Sequence, residues 1–109
     1  MSNEIKKMYI SGKVTGLHHI DVFKKFSAAT GYLLDAFPDY EIIVPLALPG
    51  IHSGLDWDKA MEICLAELET YDATRDAIYM LSDWKDSKGA KDEHAKALEL
   101  GLQIFYQEQ

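Results

Sequence analysis

The chain is short of cysteine, of basic residues and of long apolar runs. Cys64 is its only cysteine, so no disulfide forms within the chain, which is typical of a reducing compartment. Its 11 Lys and Arg stand against 18 Asp and Glu, and no basic run could displace counterions from nucleic-acid phosphates. No apolar stretch reaches membrane-spanning length, and the N-terminus lacks the apolar core of a signal peptide. We therefore expect a cytoplasmic protein that binds neither nucleic-acid polymers nor membranes.

The chain does have enough apolar sequence for one core. It has 109 residues, 48% of them hydrophobic, which predicts one domain over residues 1–109. Apolar runs predict strands, and apolar residues at helical spacing predict helices between them. The order βαβαβαβ with short connections indicates an α/β fold, a four-stranded parallel sheet with helices on both faces. The predicted strands are residues 7–11, 41–44, 77–81 and 102–106, and the predicted helices are residues 21–37, 57–71 and 89–100.

The helices also have predicted faces and ends. Asp21 and Asp56 are placed to cap the first two helices, and Gly101 to end the third. The second helix has the cleaner apolar stripe, from Trp57 to Tyr71. On the first helix, the predicted core face consists of Val22, Phe23, Phe26, Ala29, Leu33 and Phe37.

Parallel sheets of this kind bind ligands beyond the carboxyl ends of their strands. Three predicted loops gather at that edge, residues 11–19, 45–55 and 82–88. The last of them leads through glycine into a helix N-terminus, where unpaired backbone N–H groups favour anions. The candidate site residues on or next to this edge are Ser11, Gly12, Trp84, Ser87, Gly89 and Glu93.

Three residues at or near this edge each allow two interpretations. Glu93 lies between Ala90 and Ala97 on one helical stripe, which favours a partly buried carboxyl acting as nucleophile or base. Alternatively, it is a solvated carboxylate that offsets the helix dipole. Tyr9 belongs to the core alone, or its hydroxyl reaches the ligand edge. Trp84 stacks on a bound base or sugar, or it covers the core.

Metal and cofactor signals are weak. None of the four histidines, His18, His19, His52 and His94, has the spacing of a zinc site. The glycines of the first loop lack the G-x-G-x-x-G spacing of a dinucleotide site. Cys64 lies on the apolar stripe of the second helix, where a buried inert thiol is expected. The sequence therefore predicts no cofactor and no metal.

Four segments, read together, resemble a known family. They are Tyr-Ile-Ser-Gly at 9–12, Trp57-x-x-x-Met61, the Ile-Tyr-Met-Leu run with Trp84, and Ser87-x-Gly89-Ala90-x-x-Glu93-His94. They resemble the DUF4406 group within the nucleoside 2-deoxyribosyltransferase-like superfamily, over nearly the whole chain. The resemblance implies a flavodoxin- or Rossmann-like three-layer sandwich and a homo-oligomer, a dimer or larger.

The resemblance also implies an activity. Characterised relatives cleave the N-glycosidic bond of deoxynucleosides or their 5′-monophosphates, which makes Glu93 the expected nucleophile at C1′ of the sugar, with Tyr9 beside it. The expected substrate contacts are Ser11, Gly12, Trp84, Ser87, Gly89 and Ala90. The chain is then a deoxyribosyltransferase or an N-hydrolase acting on a nucleoside or nucleotide. The alternative is a non-catalytic protein that senses or sequesters a nucleotide, since small acidic chains of this kind resemble many of phage origin.

The chain departs from this resemblance in two places. Transferase relatives carry an aspartate on the second helix that handles the leaving base. Alignment on Met61 places Cys64 there, with Glu67 and Asp72 as alternatives. Relatives also often have Pro-Gly before the tryptophan, where this chain has Ser82 and Asp83.

Overall fold

The computed structural model describes residues 5–108, and all seven predicted helices and strands are present there. Two 3-10 turns, Pro45–Ala47 and Trp84–Asp86, were not predicted. The strands are β1 (Lys6–Ser11), β2 (Tyr40–Ile43), β3 (Ala77–Met80) and β4 (Gln103–Tyr106), and the helices are α1 (His19–Ala36), α2 (Trp57–Glu69) and α3 (Lys88–Leu100).

The four strands form one parallel sheet in the order β2-β1-β3-β4, which confirms the predicted α/β fold. This is the order of flavodoxin-like sheets, in which all strands are parallel and the strand order reverses between β1 and β3. Met8 of β1 pairs with Ile42 of β2 and with Ala77 of β3, so β1 is bonded on both sides. The ligand edge of such a fold lies where β1 and β3 end side by side.

The sheet separates two apolar clusters, because alternate side chains of a strand point to opposite faces. Met8 and Ile10 of β1 pack with Phe26 and Leu33 of α1 on one face. On the other face Tyr9 packs beneath α2 and α3 with residues such as Leu68. The protein therefore has three layers, with α1 on one side of the sheet and α2 and α3 on the other.

Several predicted helix details are wrong or shifted. α1 begins at His19, because the His18 ring accepts a hydrogen bond from the Ile20 N–H at 3.2 Å and takes the capping role predicted for Asp21. Phe23 is 69% exposed and so does not belong to the core face of α1. Asp56 occupies the cap position of α2, but its side chain makes no capping hydrogen bond.

The third helix agrees better with its prediction. α3 starts one residue early, at Lys88, because Ser87 caps it with a hydrogen bond from the Ala90 N–H to Oγ at 3.1 Å. Gly101 ends α3 in the left-handed conformation with φ of 72°, which confirms the predicted glycine cap. Across the helices of residues 5–108, none has the length and hydrophobicity needed to cross a membrane.

Candidate active site

The carboxyl group of Glu93 is the centre of the candidate site. Ala90 and Ala97 are buried on the same stripe of α3, so the helix lies close to the sheet and directs Glu93 toward it. Glu93 is only 5% exposed. The interpretation of Glu93 as a solvated surface carboxylate is therefore wrong and its predicted burial is confirmed, while its role as nucleophile or base stays a prediction.

Both oxygens of Glu93 accept hydrogen bonds from β1. The Tyr9 hydroxyl donates to Oε2 at 2.5 Å, and the Ser11 hydroxyl donates to Oε1 at 2.6 Å. Tyr9 and Ser11 are two residues apart on a strand, so their side chains lie on the same face. Neither residue has any exposed surface. They hold and orient the carboxyl group from behind.

Burial dominates the electrostatics of this cluster. It raises the pKa of Glu93 to about 7, against the hydrogen bonds from Ser11, Tyr9 and the nearby Cys64 thiol, which favour the ionised form. Burial, followed by the negative charge of Glu93, raises the pKa of Tyr9 well above its ordinary value. Tyr9 is therefore a permanent hydrogen-bond donor, while Glu93 exchanges its proton near neutral pH.

Glu93 lines a cavity of about 120 Å³ at the carboxyl edge of the sheet. Four other predicted site residues line the same cavity, namely Gly12, Ser87, Gly89 and Ala90. The predicted loops do converge, and the cavity lies between β1, α2 and α3. The remaining wall is mostly apolar and consists of Val14, Thr15, Pro45, Leu46, Ile51, Trp57, Ala60, Met61 and Cys64.

Two glycines stand where a side chain would meet a neighbour, and Gly12 leaves less room than Gly89. A Cβ at Gly12 would lie 2.5 Å from Cδ1 of Leu81, because the ends of β1 and β3 nearly touch there. A Cβ at Gly89 would lie 3.0 Å from Sδ of Met61, where α3 meets α2. These glycines let backbone form the wall of the cavity on both sides of Glu93.

A second, more polar pocket of about 380 Å³ lies next to the cavity. The two pockets share Thr15, Trp57, Ser87 and Gly89 in their walls, so they adjoin each other. The outer pocket adds charged groups. The ammonium of Lys88 lies 4.9 Å from the centre of the Trp57 ring. Its charged lining residues are Lys13, Asp86 and Lys88.

Trp84 lies elsewhere. Its ring stacks on His94 with centroids 4.1 Å apart, and Tyr106 lies beside both. It lines a separate pocket with Ser82 and Lys85, not the Glu93 cavity. The structure therefore does not bring Trp84 together with the other predicted site residues, and its half-buried ring packs against the core under α2 and α3.

The structure distinguishes the three candidates for a base-handling side chain. Cys64 is 6% exposed and lines the cavity, and burial raises the pKa of its thiol to about 11. Glu67 is not among the residues that line the cavity. Asp72 precedes β3 at the amino edge of the sheet, where it accepts a hydrogen bond from the Thr74 N–H at 2.8 Å. Only Cys64 is placed at the site.

Sequence reasoning assigned no role to Asp83, although it connects two of the site loops. Its carboxylate accepts a hydrogen bond from the Lys13 N–H at 3.0 Å and pairs with Nζ of Lys25 at 2.5 Å. Asp83 thus links the loop after β1 with the loop after β3 and with α1. The only signal was that Ser82 and Asp83 stand where the resembled family often has Pro-Gly.

The residues that the structure describes include no group of three or more His, Cys, Asp or Glu side chains that could share a metal ion. The fold and the buried carboxyl define a class, namely small α/β proteins with a buried carboxyl group in a cavity at the carboxyl edge of a parallel sheet. Within it, the chain belongs to the DUF4406 family, a domain of unknown function, whose family profile matches residues 6–106. No curated protein and no solved structure matches the chain.

Proposed function

We propose that this protein cleaves the N-glycosidic bond of a nucleoside or nucleotide, as a deoxyribosyltransferase or an N-hydrolase, with Glu93 as the nucleophile. One observation carries the proposal. Glu93 is buried at the wall of a cavity, and the hydroxyl groups of the fully buried Tyr9 and Ser11 hold its carboxyl group in one orientation. The resemblance to the nucleoside 2-deoxyribosyltransferase-like superfamily supplies the substrate class.

In the proposed reaction a carboxylate oxygen of Glu93 bonds to C1′ of the sugar. The C1′–N bond breaks, and its electron pair leaves with the base nitrogen. The positive charge that develops at C1′ lies against the carboxylate, which stabilises it. Water or a second base then attacks C1′ and displaces Glu93, which completes hydrolysis or transfer.

Tyr9 and Ser11 are positioning residues in this mechanism. Their hydroxyl groups favour the ionised form of Glu93, which is the form that attacks, against the opposing effect of burial. With a pKa of about 7, a substantial share of Glu93 is ionised at neutral pH. The hydrogen bonds also restrict rotation of the carboxyl group, so that its attacking oxygen remains aimed at the cavity.

The inner cavity and the outer pocket suit the two parts of a nucleotide. The inner cavity offers mostly apolar surface beside Glu93, which suits the sugar and base. The outer pocket offers Lys13 and Lys88 near the start of α3, which suits a polar or anionic group carried by the substrate. A buried single cysteine, Cys64, is consistent with action in the cytoplasm.

One feature favours the alternative of a non-catalytic nucleotide-binding protein. The side chain at the base-handling position is Cys64, whose raised pKa makes it a poor proton donor to a leaving base near neutral pH. Binding without cleavage would use the same cavity and the same outer pocket.

Release of free base distinguishes the two functions. The protein is incubated with a panel of deoxynucleosides and their 5′-monophosphates, and free base is measured by chromatography. We expect release by the wild type and loss of release in Glu93→Gln, which keeps the shape of the side chain. Glu99→Gln on the exposed side of α3 is the matched control.

Two results would contradict catalysis by Glu93. If ligands raise the melting temperature of the protein but neither the wild type nor Glu93→Gln releases base, the protein is a binding protein. Equal release by the wild type and Glu93→Gln would remove Glu93 from the mechanism.

A further inference from the structure

α1 carries a second apolar face, turned away from the sheet. Ile20, Phe23 and Leu34 lie on it and are 49%, 69% and 56% exposed. Ser27 and Gly31 lie between them at helical spacing and are also exposed. This stripe has no charged residue, in a chain of which 27% is charged. The exposed Lys24 borders the stripe one turn from Ile20. Exposed apolar surface of a few hundred Å² marks interaction sites.

The stripe borders a groove. Phe23, Ser27 and Thr30 of α1 face Leu46 and Ala47 of the Pro45–Ala47 turn across a space of about 430 Å³. Leu46 is itself 42% exposed. Ridges of side chains on a helix pack into grooves of this form. The shape therefore fits another helix lying along α1.

We propose that a second copy of this chain occupies this surface, with its own α1 packed antiparallel around a two-fold axis at Ser27. The stripe is self-complementary about that residue, since Ile20 and Leu34 each lie seven positions from it. Ile20 of one subunit is then level with Leu34 of the other, and Phe23 with Gly31. Nothing lies within 4 Å of a Cβ built at Gly31, so the Phe23 ring of the other subunit would meet open space there.

The exposed area is sufficient for a dimer. From their exposed fractions, Ile20, Phe23, Leu34 and Leu46 together present about 400 Å² of surface per subunit. A standard interface buries about 800 Å² per partner, of which somewhat more than half is apolar. The four side chains therefore provide most of the apolar contact that a stable dimer requires.

The interface adjoins the candidate active site. Leu46 lines the groove beside α1 and also the cavity that contains Glu93. A subunit seated in the groove would hold the Pro45–Ala47 turn from outside and thereby fix one wall of the cavity. The proposed interface does not depend on the proposed function, because the surface and its partner are defined without reference to a reaction.

Sedimentation equilibrium tests the interface in the full chain. Between about 1 μM and about 1 mM protein, we expect the mass to approach twice the 12.3 kDa of one chain. Phe23→Lys should raise the dissociation constant at least about 30-fold. Leu98→Lys is the control, because Leu98 on α3 is 62% exposed but lies outside the stripe.

Disulfide trapping tests the position of the two-fold axis. Ser27→Cys should form an intermolecular disulfide under mild oxidation, because the axis brings this position next to itself. Ala28→Cys, one position round the helix, should form it much more slowly, and Cys64 is buried. A monomeric wild type at all concentrations, equal effects of Phe23→Lys and Leu98→Lys, or equal trapping at positions 27 and 28 would overturn the proposal.

Discussion

Replacement of Glu93 by glutamine should remove part of the pH dependence of stability. The pKa of Glu93 is about 7 in the folded protein, against an ordinary value of 4.5. One pKa unit corresponds to about 1.4 kcal/mol, so ionising Glu93 in the folded state costs about 3 kcal/mol more than in the unfolded chain. Glutamine avoids that cost, but its amide cannot accept both hydroxyl protons, which costs about 1 kcal/mol.

The sign follows from proton binding. Between pH 4.5 and about 7, the unfolded chain releases the Glu93 proton while the folded protein retains it. The free energy of unfolding of the wild type therefore falls as pH rises through this window. Relative to wild type, Glu93→Gln should be about 1 kcal/mol less stable below the window and about 2 kcal/mol more stable above it.

Urea unfolding at a series of pH values measures this difference, with the fluorescence of Trp57 and Trp84 as the signal. Contributions of the other titrating groups cancel when the two curves are subtracted. Glu99→Gln, whose side chain is 69% exposed, should run parallel to the wild type. If the curves of the wild type and Glu93→Gln are parallel as well, ionising Glu93 costs no more free energy in the folded protein than in the unfolded chain. The reasoning from its burial is then refuted.

Three further predictions concern the supports of the site. Tyr9→Phe removes a donor to Glu93, so the midpoint of the same pH-dependent difference should move to higher pH, and a move to lower pH would contradict this role. Asp83→Asn breaks a partly exposed ion pair with Lys25 and should cost less than about 1 kcal/mol in urea unfolding, so a larger loss would contradict this weak role. Gly12→Ala should cost about 1–3 kcal/mol, because its Cβ meets Leu81, and unchanged stability would disprove that contact.

The arrangement of the fold was predictable because apolar strands and amphipathic helices alternate along the chain. The error at Phe23 has a physical origin. Val22 and Phe23 are adjacent in sequence and so point about 100° apart on a helix. Periodicity alone placed both on the core face, but only Val22 faces the sheet, and Phe23 belongs to the exposed stripe.

The site was predictable in part. The rule that parallel sheets bind ligands at their carboxyl edge brought Gly12, Ser87 and Glu93 together correctly. The contact between Tyr9 and Glu93 could not be derived from pattern, because β1 is buried on both faces and its sequence does not alternate. The position of Trp84 depends on the path of a loop, for which hydrophobic periodicity carries no information.

The donors to Glu93 lie on β1, which is hydrogen-bonded to β2 on one side and to β3 on the other. Amide hydrogens in such a central strand exchange only when the whole domain unfolds, whereas loops open locally at much lower cost. Part of the cavity wall, by contrast, comes from the Pro45–Ala47 turn and the loop after it, at Pro45, Leu46 and Ile51. Substitutions in these peripheral segments would therefore reshape the cavity while Tyr9, Ser11 and Glu93 stay in place, so the shape of the cavity and the setting of its carboxyl group can vary independently.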